Sequence, residues 1–428
     1  MDVLVIGFGT SGKSACRYLL KKGYTVFAVD DQKTSCELEQ VNFLPAQDVA
    51  FNTIAFVVLS PGISLEHPLV VQAKKLGLEV FCDMELAFRE CVKGSPPMCA
   101  ITATNGKTTT TMLTCHMLNS AKCHAKAVGN IGLPLLDVLE EPNCHFVAEL
   151  SSFQLQTMKT AVLQAACILN ITPNHLDHHA SYSEYVESKQ RIALCLKDSG
   201  TLYVNEKAAR DFSWNCPIVS YGFSSHCAIY TDGKFIYRLG KKEASLPQEL
   251  QGSFSHHTEN FLAAYVLARD FGVDPYVCVE AYASFQKPKH RIEFVARVHG
   301  VSFYDDSKAT NVDAVLRALD SFTSPVVLIA GGVHKGFSYE AWKEPCSKKV
   351  SACILLGQAA DIISQDLGGC VPLHKVASLE EAVRLSMELA KAGDSVLLSP
   401  GCSSYDMFKN YEERGKQFQQ LVHQLDQF

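Results

Sequence analysis

The chain has 428 residues, longer than one ordinary domain, and its 47% hydrophobic and 20% charged content is a soluble globular balance with material for two to four cores. A net charge of −6 without any Lys/Arg run or basic stripe argues against nucleic acid as a partner. A strand-like segment follows Met1 with no basic n-region or apolar h-region, and no apolar stretch is long enough to span a bilayer, so a cytoplasmic protein without membrane insertion is expected.

Residues 3–6 read as a strand and Gly7-Phe8-Gly9-Thr10-Ser11-Gly12 as a full Gly-x-Gly-x-x-Gly loop. Residues 13–22 read as a helix, and 25–29 as a second strand ending in Asp30-Asp31. Glycines allow the tight turn and the close approach of a pyrophosphate, and an acid at the second strand's end can take ribose hydroxyls. On its own this unit fits NAD or FAD, with other nucleotide diphosphates left open. A strand at 54–59 runs into Ser60-Pro61-Gly62, another turn at a carboxyl end, where open α/β sheets bind ligands. Linker composition at 93–97 closes a first domain near residue 93.

Residues 98–102 read as a buried strand and those after Lys107 as a helix, which places Gly106-Lys107-Thr108 at a strand-to-helix turn. Backbone N–H groups, a Lys reaching the β/γ-phosphates and a hydroxyl for Mg²⁺ are what a polyphosphate needs there. The usual loop also has a Gly five residues before Gly106, where this chain has Ile101, so an ordinary turn before a core helix stays open.

Next come the loop Gly129-Asn130-Ile131-Gly132-Leu133-Pro134 and a strand at 145–150 carrying Glu149, where a second Mg²⁺ contact is expected. A strand at 165–169 leads to Asn174-His175-Leu176-Asp177. The helix from 181 carries Lys189, which the pattern alone assigns to a solvated face. Short strands fill 200–250, two helices follow at 259–271 and 275–285, and residues 286–288 mark a second boundary. From residue 301 strands and helices alternate again, with candidate loops at 305–311, 331–335 and 399–404. The fold class is therefore α/β throughout, in domains 1–93, 94–287 and 288–428. The 17 cysteines are scattered without a Cys-x-x-Cys pair and read as reduced core residues. The pairs His178-His179 and His256-His257 bring no partners at zinc spacing, which argues against structural zinc.

These motifs, in this order, resemble those of the Mur ligases of peptidoglycan synthesis. The matching segments are residues 102–109, Glu149-Leu150-Ser151-Ser152-Phe153-Gln154, Asn174-His175-Leu176-Asp177 and His290-Arg291, and the likeness covers essentially the whole chain. Ser60-Pro61-Gly62-Ile63, the 129–134 loop and Asp306-Ser307-Lys308-Ala309-Thr310-Asn311 point to the branch that adds D-glutamate. The resemblance implies an N-terminal Rossmann-like sugar-nucleotide domain, a central P-loop ATPase domain and a C-terminal Rossmann-like domain. It also implies ATP-dependent joining of D-glutamate to UDP-N-acetylmuramoyl-L-alanine through an acyl phosphate.

By the same resemblance Thr104, Asn105, Gly106, Lys107, Thr108, Thr109, Asn260, Arg291, Asp306 and Lys308 contact ATP. Gly9, Thr10, Ser11, Asp30, Asp31, Gly62 and Asn130 contact the acceptor, and Thr310, Lys335, Ser404 and Tyr411 grip D-glutamate. Thr108, Glu149, His175 and Lys189, the last as a carbamate formed from CO₂, hold two Mg²⁺ ions. Lys107, Glu149, His175 and Lys189 are the implied catalytic residues, and a monomer gated by domain closure is expected. The chain departs from the family at Ala103, where Gly is usual, at His257, where Asn is frequent, and at Asp30-Asp31-Gln32, which lacks an expected Arg. Other readings are an amide-bond ligase for a different amino acid or for folate, and an NAD-dependent oxidoreductase or nucleotide sensor. The N-terminal glycine loop argues against folate.

Overall fold

Runs such as Val3-Leu4-Val5-Ile6, Cys99-Ala100-Ile101 and Val326-Val327-Leu328-Ile329-Ala330 are buried along their whole length. Such strands must lie inside parallel sheets covered by helices on both faces. The computed structural model describes residues 1–33, 35, 37–94, 96–175 and 178–425, so Leu176 and Asp177 of the central His motif lie outside the described residues. The chain divides into one compact unit of Met1–Ile171 with Tyr182–Phe285, and a second of Thr172–Ser181 with Gln286–Phe428.

The first unit holds two sheets. One is fully parallel, in the order Val41–Phe43, Thr25–Val29, Asp2–Ile6, Ile54–Leu59, Glu79–Cys82. The other has nine strands. Its parallel part runs Ala125–Gly129, His145–Glu149, Met98–Thr102, Leu163–Ile168, Leu196–Asn205, Val219–Gly222, Ile229–Thr231, and Phe235–Arg238 and Lys241–Ser245 extend it antiparallel. These last two strands lie in the stretch read as short strands with turns. The two sheets are tied by polar contacts: Asp137 accepts from Ser14 Oγ at 2.7 Å and from Arg17, and Glu85 accepts from Thr160 Oγ1 at 2.7 Å.

The second unit has one sheet, in the order Glu293–Val298, Val301–Asp305, Ser395–Leu398, Val326–Gly331, Val350–Leu356, Leu373–Lys375. Only the edge strand Glu293–Val298 is antiparallel.

Two of the element boundaries that differ from the sequence reading lie beside the glycine loop and the first domain boundary. The first helix spans Thr10–Lys21, beginning inside the glycine loop because Gly9 is its N-cap and Thr10 and Ser11 already form its first turn. The helix Asp83–Gly94 runs through Lys93, so the linker composition starts within its last turn.

Candidate active site

Both glycine-containing loops end in helices whose first turns receive no side-chain cap. Gly9 caps Thr10–Lys21 and Gly106, at φ +87°, caps Lys107–Ser120, and neither offers an acceptor to the amides behind it. Elsewhere Asn311 and Ser378 close their helix starts with side-chain oxygens. First-turn N–H groups that meet no side-chain cap at the carboxyl ends of strands are anion sites.

The glycine loop is packed too tightly for any other residue at two positions. Gly7 has φ +90° and lies against Ser60, whose Oγ donates to the Gly7 carbonyl at 2.8 Å, and a Cβ on Gly12 would overlap that same carbonyl. Gly9, Thr10, Asp31 and Gly62 are exposed on this end of the sheet. Asp30 is engaged by the loop itself, accepting from Phe8 N at 2.6 Å and Gln32 N at 3.0 Å, while Asp31 faces His67 at 3.3 Å.

Around the phosphate loop the structure gathers Lys107, Asn130, Glu149, Lys189 and Asn260. Thr104 N donates to Asn170 O, and Asn105 N to Asn170 Oδ1, which pins the loop to the next strand. Lys107 Nζ donates to the carbonyls of Ala103 (2.7 Å) and Thr104 (3.0 Å). Asn260 lies so close that a Cβ on Gly106 would overlap its Oδ1. Ala103 is buried and does not adopt a positive φ, so the loop accommodates this departure from glycine without left-handed backbone.

Lys189 is the clearest correction to the sequence pattern. It is not on a solvated face but 1% exposed, donating to Ala103 O at 2.8 Å, with its Nζ 4.7 Å from the Tyr185 ring centre. Burial, and then the Lys107 charge, push its pKa well below the usual lysine range, with Glu149 pulling the other way. The lone-lysine pattern misled because a helix this polar has no dominant apolar stripe; Tyr185, four residues earlier on the same face, was the available signal.

Glu149 ends a strand whose register places it beside Gly129. Asn130 Nδ2 donates to Glu149 Oε1 at 2.8 Å, and a capping box between Ser151 and Gln154 starts the next helix at once. Glu149 Oε2 is buried and accepts no hydrogen bond among the described residues, and the hydroxyls of Thr110 and Thr111 are likewise buried and unpartnered. A buried carboxylate oxygen left over beside a phosphate loop, with Thr108 in the helix's first turn, fits a hard divalent cation of the Mg²⁺ type.

The remaining expected residues lie in the second unit. His175 is there, at φ +55°, its carbonyl accepting from His178 and His179 N. Asp306 is buried, accepts from Ser399 Oγ at 2.8 Å, and burial lifts its pKa to about 7 despite Arg291 nearby. Lys308 Nζ sits 3.6 Å from the Tyr411 ring centre, and Lys335 Nζ is 3.5 Å from Thr310 O. Val333 N donates to Ser403 O, which brings the Lys335 loop beside Ser404. Arg414 went unnoticed in the sequence, where nothing separates it from a surface helix residue. It is buried and clamps this loop, donating to Ser307 Oγ and Ser307 O at 2.9 Å and to Cys402 O at 3.2 Å.

Comparison with known proteins gives the family. Residues 1–82 match the Mur ligase MurD-like N-terminal domain, 101–268 the Mur ligase middle domain, and 290–402 the Mur ligase glutamate ligase domain. A UDP-N-acetylmuramoylalanine–D-glutamate ligase of Protochlamydia amoebophila is 41% identical over 98% of this chain and 97% of its own. The chain belongs to the Mur ligase family. A relative of the same name from Caldicellulosiruptor saccharolyticus is 40% identical over 99% of this Mur ligase and 98% of its own length. Among solved structures, a UDP-N-acetylmuramate–alanine ligase of Thermotoga maritima shares the fold, with TM-score 0.64, 16% identity and 99% of both chains covered. So does a MurF ligase of Thermotoga maritima solved with ADP, with TM-score 0.61, 16% identity, and 99% of this chain and 95% of that one covered. Among the described residues no helix is long and apolar enough to cross a membrane.

Proposed function

We propose that this chain is the ATP-dependent ligase that joins D-glutamate to UDP-N-acetylmuramoyl-L-alanine, releasing ADP and phosphate, as a monomer in cytoplasmic peptidoglycan precursor synthesis. The observation that carries the reading is the convergence of Lys107, Lys189 and Glu149 on one uncapped helix start. We assign residues 1–93 to the UDP-sugar domain, 94–287 to the ATP domain and 288–428 to the C-terminal domain. Gly9, Thr10, Ser11, Asp31 and Gly62 then hold the uridine diphosphate end of the acceptor, and Asp30 fixes their loop.

A carboxylate does not react with an amine at neutral pH, so the L-alanyl carboxylate first attacks the γ-phosphorus of ATP. An oxygen–phosphorus bond forms, the β–γ bridge breaks and ADP leaves. Phosphoryl transfer asks the protein mainly for positioning and charge neutralisation. The loop amides of 104–109 and Lys107 take the β/γ oxygens, and Asn260, Arg291, Asp306 and Lys308 orient the nucleotide. Two Mg²⁺ ions held by Thr108, Glu149, His175 and carbamylated Lys189 would supply further neutralisation of the phosphates. Asn130 keeps Glu149 oriented at the acceptor end. The D-glutamate amine then attacks the acyl carbon, loses its proton, and phosphate departs. Thr310, Lys335, Ser404 and Tyr411 grip D-glutamate, whose carboxylates need a fixed cation such as Lys335.

Carbamylation needs an unprotonated amine. Burial of Lys189 favours that form: its nitrogen lone pair bonds to the carbon of CO₂, one N–H proton is released, and a carboxylate-like oxygen ligand results.

Phosphate release from ATP with Mg²⁺ and UDP-N-acetylmuramoyl-L-alanine tests the assignment. Release requiring both the acceptor and D-glutamate is expected, with no response to L-glutamate, L-lysine or meso-diaminopimelate. Preference for another amino acid would move the enzyme within its family, and no acceptor-dependent release would overturn the reading.

A further inference from the structure

The phosphate loop and Glu149 lie at the carboxyl ends of the strands in the nine-stranded sheet. At the opposite ends, two Cys-His dipeptides start neighbouring parallel strands: Cys123-His124 precedes Ala125–Gly129, and Cys144-His145 opens His145–Glu149. The register pairs Ala125 with His145, which sets His124 beside Cys144. The turn before Cys144 passes through Asn143 at φ +56° and brings Glu141 to the same place.

We propose that His124, Glu141 and Cys144 bind one zinc-type divalent ion at this edge of the sheet. One ligand atom from each lies within 4.8 Å of the others, and His124 Nε2 is 3.5 Å from Glu141 Oε2. That carboxylate oxygen is buried and accepts no hydrogen bond among the described residues, while Lys126 engages the other, Oε1. Thiolate, imidazole and carboxylate together suit zinc and not Mg²⁺ or Ca²⁺. Zn–ligand bonds of about 2.0–2.3 Å put tetrahedral ligands roughly 3.3–3.8 Å apart, a contraction that rotation of the exposed His124 and half-buried Glu141 side chains towards Cys144 would supply. Cys144 is buried and its thiol donates to the His145 carbonyl at 3.5 Å. On binding, the sulfur–hydrogen bond breaks, the proton goes to solvent and the thiolate bonds the metal. Three protein ligands leave the fourth position open to water.

Ala125–Gly129 is the edge strand of its sheet, and its far end leads into Asn130, the residue that orients Glu149. Strands of five residues put the metal on the order of 15 Å from Glu149, so the ion acts on that site by fixing the strand pair. The sequence offered no zinc spacing because the ligands meet only through strand register.

Titration of the full, chelator-stripped chain with Co²⁺ alone tests this. One equivalent should bind with a thiolate-to-cobalt charge-transfer band in the near ultraviolet, be displaced by equimolar Zn²⁺, and resist excess Mg²⁺. Cys144→Ser should lose the band, His124→Gln and Glu141→Gln should weaken binding at least tenfold, and Cys115→Ser should leave it unchanged. Saturating Zn²⁺ should also raise the thermal transition of the first unit in the wild-type chain and not in His124→Gln, whose exposed site tolerates the change. Absence of the band in the wild-type chain, or unaltered affinity in His124→Gln, would overturn the proposal.

Discussion

Two buried ionisable side chains carry opposite tensions at the residue scale. Among the described residues Lys189 is bonded to no carboxylate but to the Ala103 carbonyl and, at 3.4 Å, to Thr102 Oγ1, and it faces an aromatic ring, so its nitrogen is suited to hold CO₂ and poorly suited to remain an ammonium. Lys189→Ala is expected to abolish turnover while leaving the melting temperature near that of the wild type, and short-chain carboxylic acids should restore part of the rate by replacing the carbamate. Full activity without any added acid would refute the assigned role. Asp306 sits in the reverse situation. Its folded pKa of about 7 lies above the ordinary 3.8, so the native state keeps a proton that the unfolded chain releases. Stability of the second unit should therefore be highest below about pH 4 as far as this group is concerned, and should fall as pH rises towards and through 7. The full difference corresponds to at most about 4.5 kcal/mol at about 1.4 kcal/mol per unit. Asp306→Asn keeps an acceptor for Ser399 and should flatten that dependence, which urea unfolding at pH 5 and pH 8 would measure, while weakening ATP binding.

At the scale of elements, the glycine loop shows why spacing can be read from sequence. Gly12 is required by the closeness of the first helix to the first strand, since a Cβ there would meet the Gly7 carbonyl and the Ser60 hydroxyl. Gly12→Ala is expected to cost about 2 kcal/mol or more as an overpacking change and to weaken binding of the UDP-sugar at least tenfold. ADP affinity should be unaffected, because the phosphate loop belongs to a different sheet; calorimetric titration with each ligand separates the two effects. Features of this kind were legible because they are local. Strand and helix periods, Gly-Lys-Thr at a strand end and the carboxylate of Glu149 all lie within short windows of sequence. Features that depend on tertiary burial or register were not. The pattern misplaced Lys189, passed over Arg414, and gave no sign that His124 and Cys144 would meet. The family resemblance repaired the first of these because it brings in a position whose surroundings the sequence alone does not display.

At the scale of the molecule, the chain passes between its two units three times, at Ile171–Thr172, Ser181–Tyr182 and Phe285–Gln286. Each unit has apolar clusters of its own, one around Val315, Leu328, Trp342 and Leu355 in the second, others around Val5, Phe88, Ile168, Phe261 and Tyr265 in the first. Independent cores make single two-state unfolding a poor description. Differential scanning calorimetry should resolve two transitions. A ligand stabilises what it binds by mass action, about 2.7 kcal/mol at a hundredfold excess over its dissociation constant. ADP, lacking the γ-phosphate, should raise the transition of the first unit through the loop amides and Lys107. In Lys107→Ala that increment should shrink sharply, with the transition of the second unit unchanged, since Lys107 and the loop carbonyls of Ala103 and Thr104 to which it donates belong to the first unit. A Lys107→Ala chain that retained the full ADP-dependent shift would place the phosphates elsewhere than on this loop. Merged transitions would mean that the two cores unfold together.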